Sequence, residues 1–291
     1  MDDALAACRA LHFTASLTLF GVLIFQVFLA PDPLRDALSR PLGRLVASSG
    51  VVAGFASLIW LAMVSAATSG SWNAAIAPRS IVTILADTEF GAVWRWHVAL
   101  SVGLAALGLV GPTRLGRFYW LVGAAVSTLQ LVTLGLVGHA AGLGTTGRIA
   151  QSLHLLTAGF WLGSLPPVVL CLRIDALSPL RRQAMLALTR FSNVGHASVA
   201  LVVTTGLVDM GLITGKLTLD LAIPYQRLLV VKIVIVAAMI ALAITNRYWL
   251  VPRLRQDAAT LDRIRRICIV VFCLGLAAIG LVSVFGMLSP T

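Results

Sequence analysis

The chain has 291 residues, of which 59% are hydrophobic and only 11% are charged, and its mean hydropathy is +0.95. Soluble domains carry about 25% charged residues, so this composition excludes a soluble globular protein and predicts that nearly all of the chain lies in a lipid bilayer. The net charge of +11 does not indicate a nucleic-acid partner, because the basic residues fall in short loops between apolar segments, where they determine topology.

Eight apolar segments are long enough to cross a bilayer, which takes about 20 residues per helix. They predict an all-α integral membrane protein with one polytopic domain over residues 1–291, built as a bundle of eight transmembrane helices. The first segment follows an acidic start, so we expect a transmembrane helix there and not a cleavable signal peptide. The predicted spans cover residues 8–30, 44–68, 90–110, 117–141, 148–171, 186–210, 226–249 and 266–288.

The basic residues predict the orientation of these helices. The loops that follow the odd-numbered spans carry 15 arginines, whereas the opposite side carries five Lys and Arg residues. Cytoplasmic loops are enriched in Lys and Arg, so we expect the odd-numbered loops in the cytoplasm and both termini on the periplasmic side. Six of the 11 acidic residues lie on that outer side, which makes it slightly anionic and favourable to cations.

Four of the five histidines lie at similar depths in four different predicted spans. His12, His97 and His154 follow the predicted outer ends of the first, third and fifth spans, and His139 closes the fourth. A short turn rich in Gly and Thr makes the fourth and fifth spans antiparallel neighbours. We therefore expect these four imidazoles in the outer third of the membrane, whereas His196 lies near the midplane.

Sulfur-containing side chains lie close to the same level. Cys8 precedes His12 by four residues, so the two share one helix face, and Met210 lies in the outer half of the sixth span. Imidazole, thiolate and thioether groups together suit copper better than a hard cation such as magnesium. The competing structural roles are an interhelical hydrogen bond for His196 and core packing for Met210. The residues predicted to bind a copper ion are His12, His97, His139, His154, Cys8, Met210 and His196.

Other residues carry structural predictions. Tryptophans such as Trp94 are typical of anchors at the membrane interface. Gly159 and Gly163 have the spacing of a face for close helix packing. Lys232 lies inside a predicted span, so we expect it to have a partner such as Asp209 or a backbone carbonyl.

Several short motifs, in this order and spacing, resemble the CopD/PcoD family of copper-resistance inner-membrane proteins, most clearly from about residue 136 to 290. They are Gly138-His139-Ala140, Trp161-Leu162-Gly163, Arg190-Phe191-Ser192, Asn246-Arg247 and Pro252-Arg253. The resemblance implies a multi-pass protein of the bacterial inner membrane that is not an enzyme and moves copper across the cytoplasmic membrane. It also implies a possible periplasmic partner, a CopC-like copper carrier, besides the copper ion and the lipid bilayer.

Two other functions stay open on the sequence alone. Histidines at matched depths on facing spans also hold haem in b-type cytochromes, which would make the chain a membrane redox protein. Alternatively, the histidines form only hydrogen bonds within a membrane docking subunit. The chain has no Met-xxx-Met or Cys-Pro-Cys motif, so its sequence does not indicate a high-flux copper pathway.

Overall fold

The computed structural model describes residues 2–215, 218–255 and 259–290. Within these ranges the chain is helical, with no β-strand. The α-helices are Asp2–Ile24 (α1), Asp32–Ser69 (α2), Pro78–Asp87 (α3), Glu89–Val110 (α4), Pro112–Leu115 (α5), Arg117–Gly135 (α6), Gly144–Gly163 (α7), Leu165–Leu172 (α8), Arg181–Thr214 (α9), Pro224–Ile244 (α10) and Ala259–Phe285 (α11). Two π-helical segments, Phe25–Leu29 and Thr245–Leu250, extend α1 and α10.

In the described part of the chain, eight helical segments are long and apolar enough to cross a membrane, as predicted. The fifth consists of α7 and α8 together, with an interruption at Ser164. The helix α2 starts at Asp32, well before the predicted residue 44, because its prolines are compatible with a helix: Pro33 occupies the first turn, where its missing N–H group is harmless, and Pro41 is accommodated inside the helix.

The outer end of the fourth span also differs from the prediction. The helix α6 stops at Gly135, not at residue 141, and the chain turns at Gly138 with a φ of 89° before a separate 3-10 segment, His139–Leu143. His139 therefore lies outside the spanning helix. The predicted loop between the second and third spans contains an additional helix, α3, with an apolar and a polar face.

The spanning helices form two groups that share α1. In the first, α1 and α4 each pack against α2 and α6, which closes a four-helix ring. In the second, α7 packs against α9 and α10 packs against α11, while α1 contacts both α7 and α11. In the most apolar 18-residue stretch of the first span, 72% of the residues are buried inside the protein. In the corresponding stretch of the span that contains α10, only 6% are buried. The first helix is therefore the central element of the fold.

The contact between α1 and α7 depends on glycines, as the spacing of Gly159 and Gly163 predicts. A methyl group on Gly163 would overlap the Leu17 carbonyl oxygen, and one on Gly21 would overlap the Gly163 backbone. Gly159 faces Leu17 at the same crossing. Both helices run in the same direction, and the pairs Gly21–Gly163 and Leu17–Gly159 have the same sequence separation as His12 and His154. This register places His12 level with His154.

Candidate functional site

The four-helix ring encloses a pair of histidines. The Nε2 atoms of His12 on α1 and His97 on α4 lie 2.8 Å apart, and both side chains are completely buried. The ring centroids are 4.9 Å apart. These two residues therefore do share one depth, and the fold brings them into direct contact although 85 positions separate them in the chain.

The second ring nitrogen of each histidine, Nδ1, lies within hydrogen-bonding distance of an oxygen atom. The Nδ1 of His12 lies 3.1 Å from the Ala53 carbonyl oxygen, and the Nδ1 of His97 lies 2.9 Å from the Thr133 hydroxyl oxygen. The carbonyl can only accept, so the His12 Nδ1 carries the proton and its Nε2 accepts. A single proton, on the His97 Nε2, then satisfies the contact between the two Nε2 atoms.

Two tryptophan side chains pack against the histidine pair. Trp94 stacks on His97 at a centroid distance of 4.5 Å and an interplanar angle of 24°, and Trp60 meets His12 edge-on at 5.8 Å. The Trp94 indole N–H donates to the Ser57 carbonyl oxygen at 3.1 Å. The interpretation of Trp94 as an interfacial anchor is therefore wrong. The signal that sequence reasoning missed is its position three residues before His97, on the same face of α4.

A second polar layer lies one turn inward from the histidines. Gln130 of α6 donates its amide hydrogens to the hydroxyl oxygens of Ser16, at 2.8 Å, and Ser101, at 3.2 Å. Ser16 and Ser101 follow His12 and His97 by four residues each, so the layer repeats the geometry of the pair. Sequence reasoning overlooked all three residues, and the repeated i, i+4 spacing was the available signal.

Cys8 lies one turn outward from His12, and its thiol donates to the Ala56 carbonyl oxygen at 3.3 Å. The thiol is buried and free. It therefore adds a sulfur atom on the outward side of the histidine pair, on the shared face of α1 that the spacing predicts.

His154 lies at the level of His12 but has different neighbours. Its Nδ1 is 3.1 Å from the Thr205 hydroxyl oxygen on α9, whereas His12 turns toward α2 and α4. Lys232 of α10 lies within electrostatic range of both His154 and Asp209, and its pairing with Asp209 stays a prediction. His154 thus belongs to a second polar group between α7, α9 and α10.

The remaining predicted ligands lie apart from the histidine pair. His139 is exposed and meets the Tyr225 ring edge-on at 5.9 Å. His196 is exposed and contacts the Tyr248 hydroxyl at 3.1 Å. Met210 packs against a small apolar cluster that includes Tyr225. Among the described residues, no three His, Cys, Asp or Glu side chains are grouped as metal ligands, so the assignment of a larger copper site stays a prediction.

Comparison with known proteins identifies the family. A model described as "Copper resistance protein D-like, N-terminal domain" matches residues 1–149, and a second, "Copper resistance protein D", matches residues 185–285. The chain belongs to the copper resistance protein D family. The N-terminal match contains the whole four-helix ring and the histidine pair, and the second match covers most of α9, α10 and α11.

Individual members of the copper resistance protein D family and related proteins are similar to this chain. Inner membrane protein YebZ of Escherichia coli (strain K12) is 32% identical, over 86% of this chain and 86% of its own length. Copper resistance protein D of Pseudomonas syringae pv. tomato is 26% identical, over 100% and 98% of the two chains. Copper transport protein CutJ of Bacillus subtilis (strain 168) is 28% identical, over 72% of this chain but only 40% of its own length. No solved structure matches the chain.

Proposed function

We propose that this protein binds copper at His12 and His97 on the periplasmic side of the inner membrane and moves it across that membrane, in copper uptake or resistance. The observation that carries the proposal is the 2.8 Å contact between two buried Nε2 atoms whose partner nitrogens are both held by oxygen atoms. The names of the similar proteins, which include copper transport and copper resistance, support the same function.

The hydrogen bonding around the pair suits a metal ion between the two Nε2 atoms, with the proton of the His97 Nε2 moved to its Nδ1. Histidines that bind metals through Nε2 donate their Nδ1–H to a carbonyl, a carboxylate or another fixed acceptor, and the Ala53 carbonyl and Thr133 hydroxyl oxygens are available for this. Metal–imidazole bonds are about 2 Å long, so an ion between the two Nε2 atoms requires the rings to separate by roughly 1 Å. Cys8 is the nearest additional soft donor on the outward side.

The geometry disfavours the haem alternative. Two axial histidines bind the iron from opposite faces of a porphyrin, and this macrocycle would have to pass between His12 and His97. Their side chains are in hydrogen-bonding contact and fully enclosed by Trp60, Trp94 and neighbouring helices. A docking subunit without a copper role would not need two imidazoles to share a proton in a dry interior, where polar groups are costly to bury.

Copper binding by the purified protein tests the proposal directly. Cu(I) affinity is measured in detergent by competition with a chromophoric chelator for the wild type and for His12→Ala and His97→Ala. Each variant removes half of a two-ligand site, so we expect at least a hundredfold loss of affinity. Thermal unfolding and size-exclusion profiles establish that the variants are folded.

Two of the three histidines outside the pair provide matched controls. His154→Ala removes an imidazole at the same depth, and His139→Ala removes an exposed one, and we expect each to change the affinity less than threefold. The proposal is wrong if the wild type binds no copper, or if folded His12→Ala and His97→Ala proteins retain its affinity. A larger effect of His154→Ala than of His97→Ala would move the site to the second polar group.

A further inference from the structure

Three buried polar atoms inside the four-helix ring have no hydrogen-bond partner in the described part of the chain. They are the Oε1 atoms of Gln130 and Gln26 and the hydroxyl of Tyr119. All three side chains are fully buried. A buried polar group without a partner lowers stability. All three belong to α1 or α6, on the two sides of one helix contact, which indicates a shared role.

These atoms occupy two levels of the ring. The antiparallel helices α1 and α6 meet at Ser16 with Gln130 and, further inward, at Leu23 with Gly123. Both contacts follow one register, and its continuation places Gln26 opposite Trp120, one residue from Tyr119. At 1.5 Å per residue, this level lies about 15 Å inward from the Gln130 layer. The upper level adjoins the histidine pair, and the lower one lies toward the predicted cytoplasmic side.

An apolar layer separates the two levels. A methyl group on Gly123 would press on the side chains of Leu23 and Leu107, so these three residues close the ring between Gln130 above and Gln26 below. The described conformation is therefore closed between the levels. The two leucine side chains that pack on Gly123 can change rotamer and open this layer without breaking hydrogen bonds.

The local structure leaves the side-chain oxygen of Gln26, Oε1, available. Gln26 lies in the π-helical segment of α1, a type of distortion that is frequent at functional sites. Its amide nitrogen donates to the Arg35 carbonyl oxygen at 3.3 Å, and the Arg35 guanidinium donates in return to the Gln26 carbonyl at 2.7 Å. The backbone and the amide nitrogen are thus fixed, and only the side-chain oxygen keeps unused lone pairs.

A cleft on the predicted cytoplasmic side lies beside this lower level, with Trp120 in its lining but neither Gln26 nor Tyr119. It has a volume of about 350 Å³ and is lined by Trp120, Arg35, Asp32 and Asp36, among others. Trp120 packs edge-on against Tyr119 at 4.8 Å. Two of the five acidic residues on the predicted cytoplasmic side, Asp32 and Asp36, line the cleft together with Arg35 and Arg117, and Asp32 forms an ion pair with Arg35. Asp36 is therefore the acid of the cleft that has no ion pair among the described residues.

We propose that Gln26 and Tyr119 form an inner station for a monovalent copper ion, reached from the histidine pair past Gln130 and emptied into the cleft lined by Asp32 and Asp36. The inference rests on the proposed function and adds the pathway. An amide oxygen and a phenol oxygen are weak ligands for copper. Weak binding suits a transit position, because conduction requires an ion to leave a site as readily as it enters.

Tyr119→Phe separates this role from a structural one. The substitution removes only a hydroxyl that has no partner, so a merely structural hydroxyl predicts equal or higher stability and unchanged transport. The inner station predicts equal or higher stability with slower transport. We expect at least a fivefold lower initial rate for Tyr119→Phe and for Gln26→Leu, with Cu(I) affinity within twofold of the wild type because the histidine pair is intact.

The experiment uses full-length protein in liposomes that contain a Cu(I)-selective chromophoric chelator, with Cu(I) and ascorbate added outside. Gln151→Leu, the same replacement on α7, is the matched control and should transport at the wild-type rate. Unchanged rates in both Tyr119→Phe and Gln26→Leu overturn the inner station and leave the histidine site standing. Wild-type protein that binds copper but does not move it overturns the pathway, whereas wild-type protein that binds no copper overturns the proposed function as well.

Discussion

At the scale of single residues, the histidine pair depends on the groups behind it. The Thr133 hydroxyl is 2.9 Å from the His97 Nδ1 and donates to the Gln130 carbonyl oxygen at 2.8 Å. With its proton committed to that carbonyl, the hydroxyl oxygen can accept from the His97 Nδ1–H in the tautomer whose Nε2 binds a metal ion. In the same way, the His12 Nδ1–H donates to the Ala53 carbonyl oxygen, so the lone pair of the His12 Nε2 can bind a metal ion.

Thr133→Val should therefore weaken copper binding without removing a ligand. The isosteric side chain deprives the His97 Nδ1 of its acceptor, and loss of such an outer partner typically lowers metal affinity about 10- to 100-fold. Thr128→Val is the control, since Thr128 lies on the same helix and its hydroxyl donates only to the Ala124 backbone. Competition titration of Cu(I) measures both; equal affinities in the two variants would contradict the role of Thr133.

At the scale of elements, the α1–α7 crossing holds the two halves of the protein together. Gly21, Gly159 and Gly163 allow the backbones to approach. The same crossing sets the depth of His12 relative to His154. A shift of α7 along α1 would thus alter the second polar group while leaving the ring of α1, α2, α4 and α6 closed.

Gly163→Ala should destabilise the protein by roughly 1–3 kcal/mol, the usual cost of overpacking, because the added methyl group would overlap the Leu17 backbone. Gly195→Ala is the counterpart on α9, where nothing lies within 4 Å of an added methyl group. There we expect stabilisation by up to about 1 kcal/mol from the higher helix propensity of alanine. Thermal unfolding in detergent measures both, and a Gly163→Ala protein as stable as wild type would show that the crossing can relax.

The number of spans and the close-packing glycines could be predicted from the sequence, because the length of an apolar run and the GxxxG spacing are local properties. The sequence predicts that His12 and His97 lie at the same depth, but not that they are in contact. Depth follows from the distance along each helix, but the direction in which a histidine faces depends on which helices are neighbours. For this reason His154, at the predicted level, contacts α9 and not the pair.

The predicted ends of some helices differ from the structure for a different reason. The predicted second span starts at residue 44, beyond Pro41, yet α2 continues through that proline. Neighbouring elements can satisfy the backbone groups that a proline leaves free. The Gly138 turn ends α6 early and places His139 outside it. Burial of Trp94 beside His97 likewise arises from tertiary packing, which overrides the usual interfacial preference of tryptophan.

At the scale of the whole molecule, orientation decides which side copper meets first. The 15 basic residues in the odd-numbered loops predict cytoplasmic loops there and periplasmic termini. Alkaline phosphatase, which is active only in the periplasm, should be active when fused after Pro290 and inactive when fused after Ala176, in the loop between α8 and α9. The reverse pattern would place the histidine pair near the cytoplasm.

X-ray absorption at the copper edge of the Cu(I)-loaded protein tests the central claim most directly, because it reports the ligands themselves. We expect imidazole scattering from two nitrogen atoms at about 2 Å in the wild type and in His154→Ala, and the loss of one imidazole in folded His97→Ala. A copper environment that is identical in His97→Ala and wild type, or one that changes only in His154→Ala, would contradict a site built from His12 and His97.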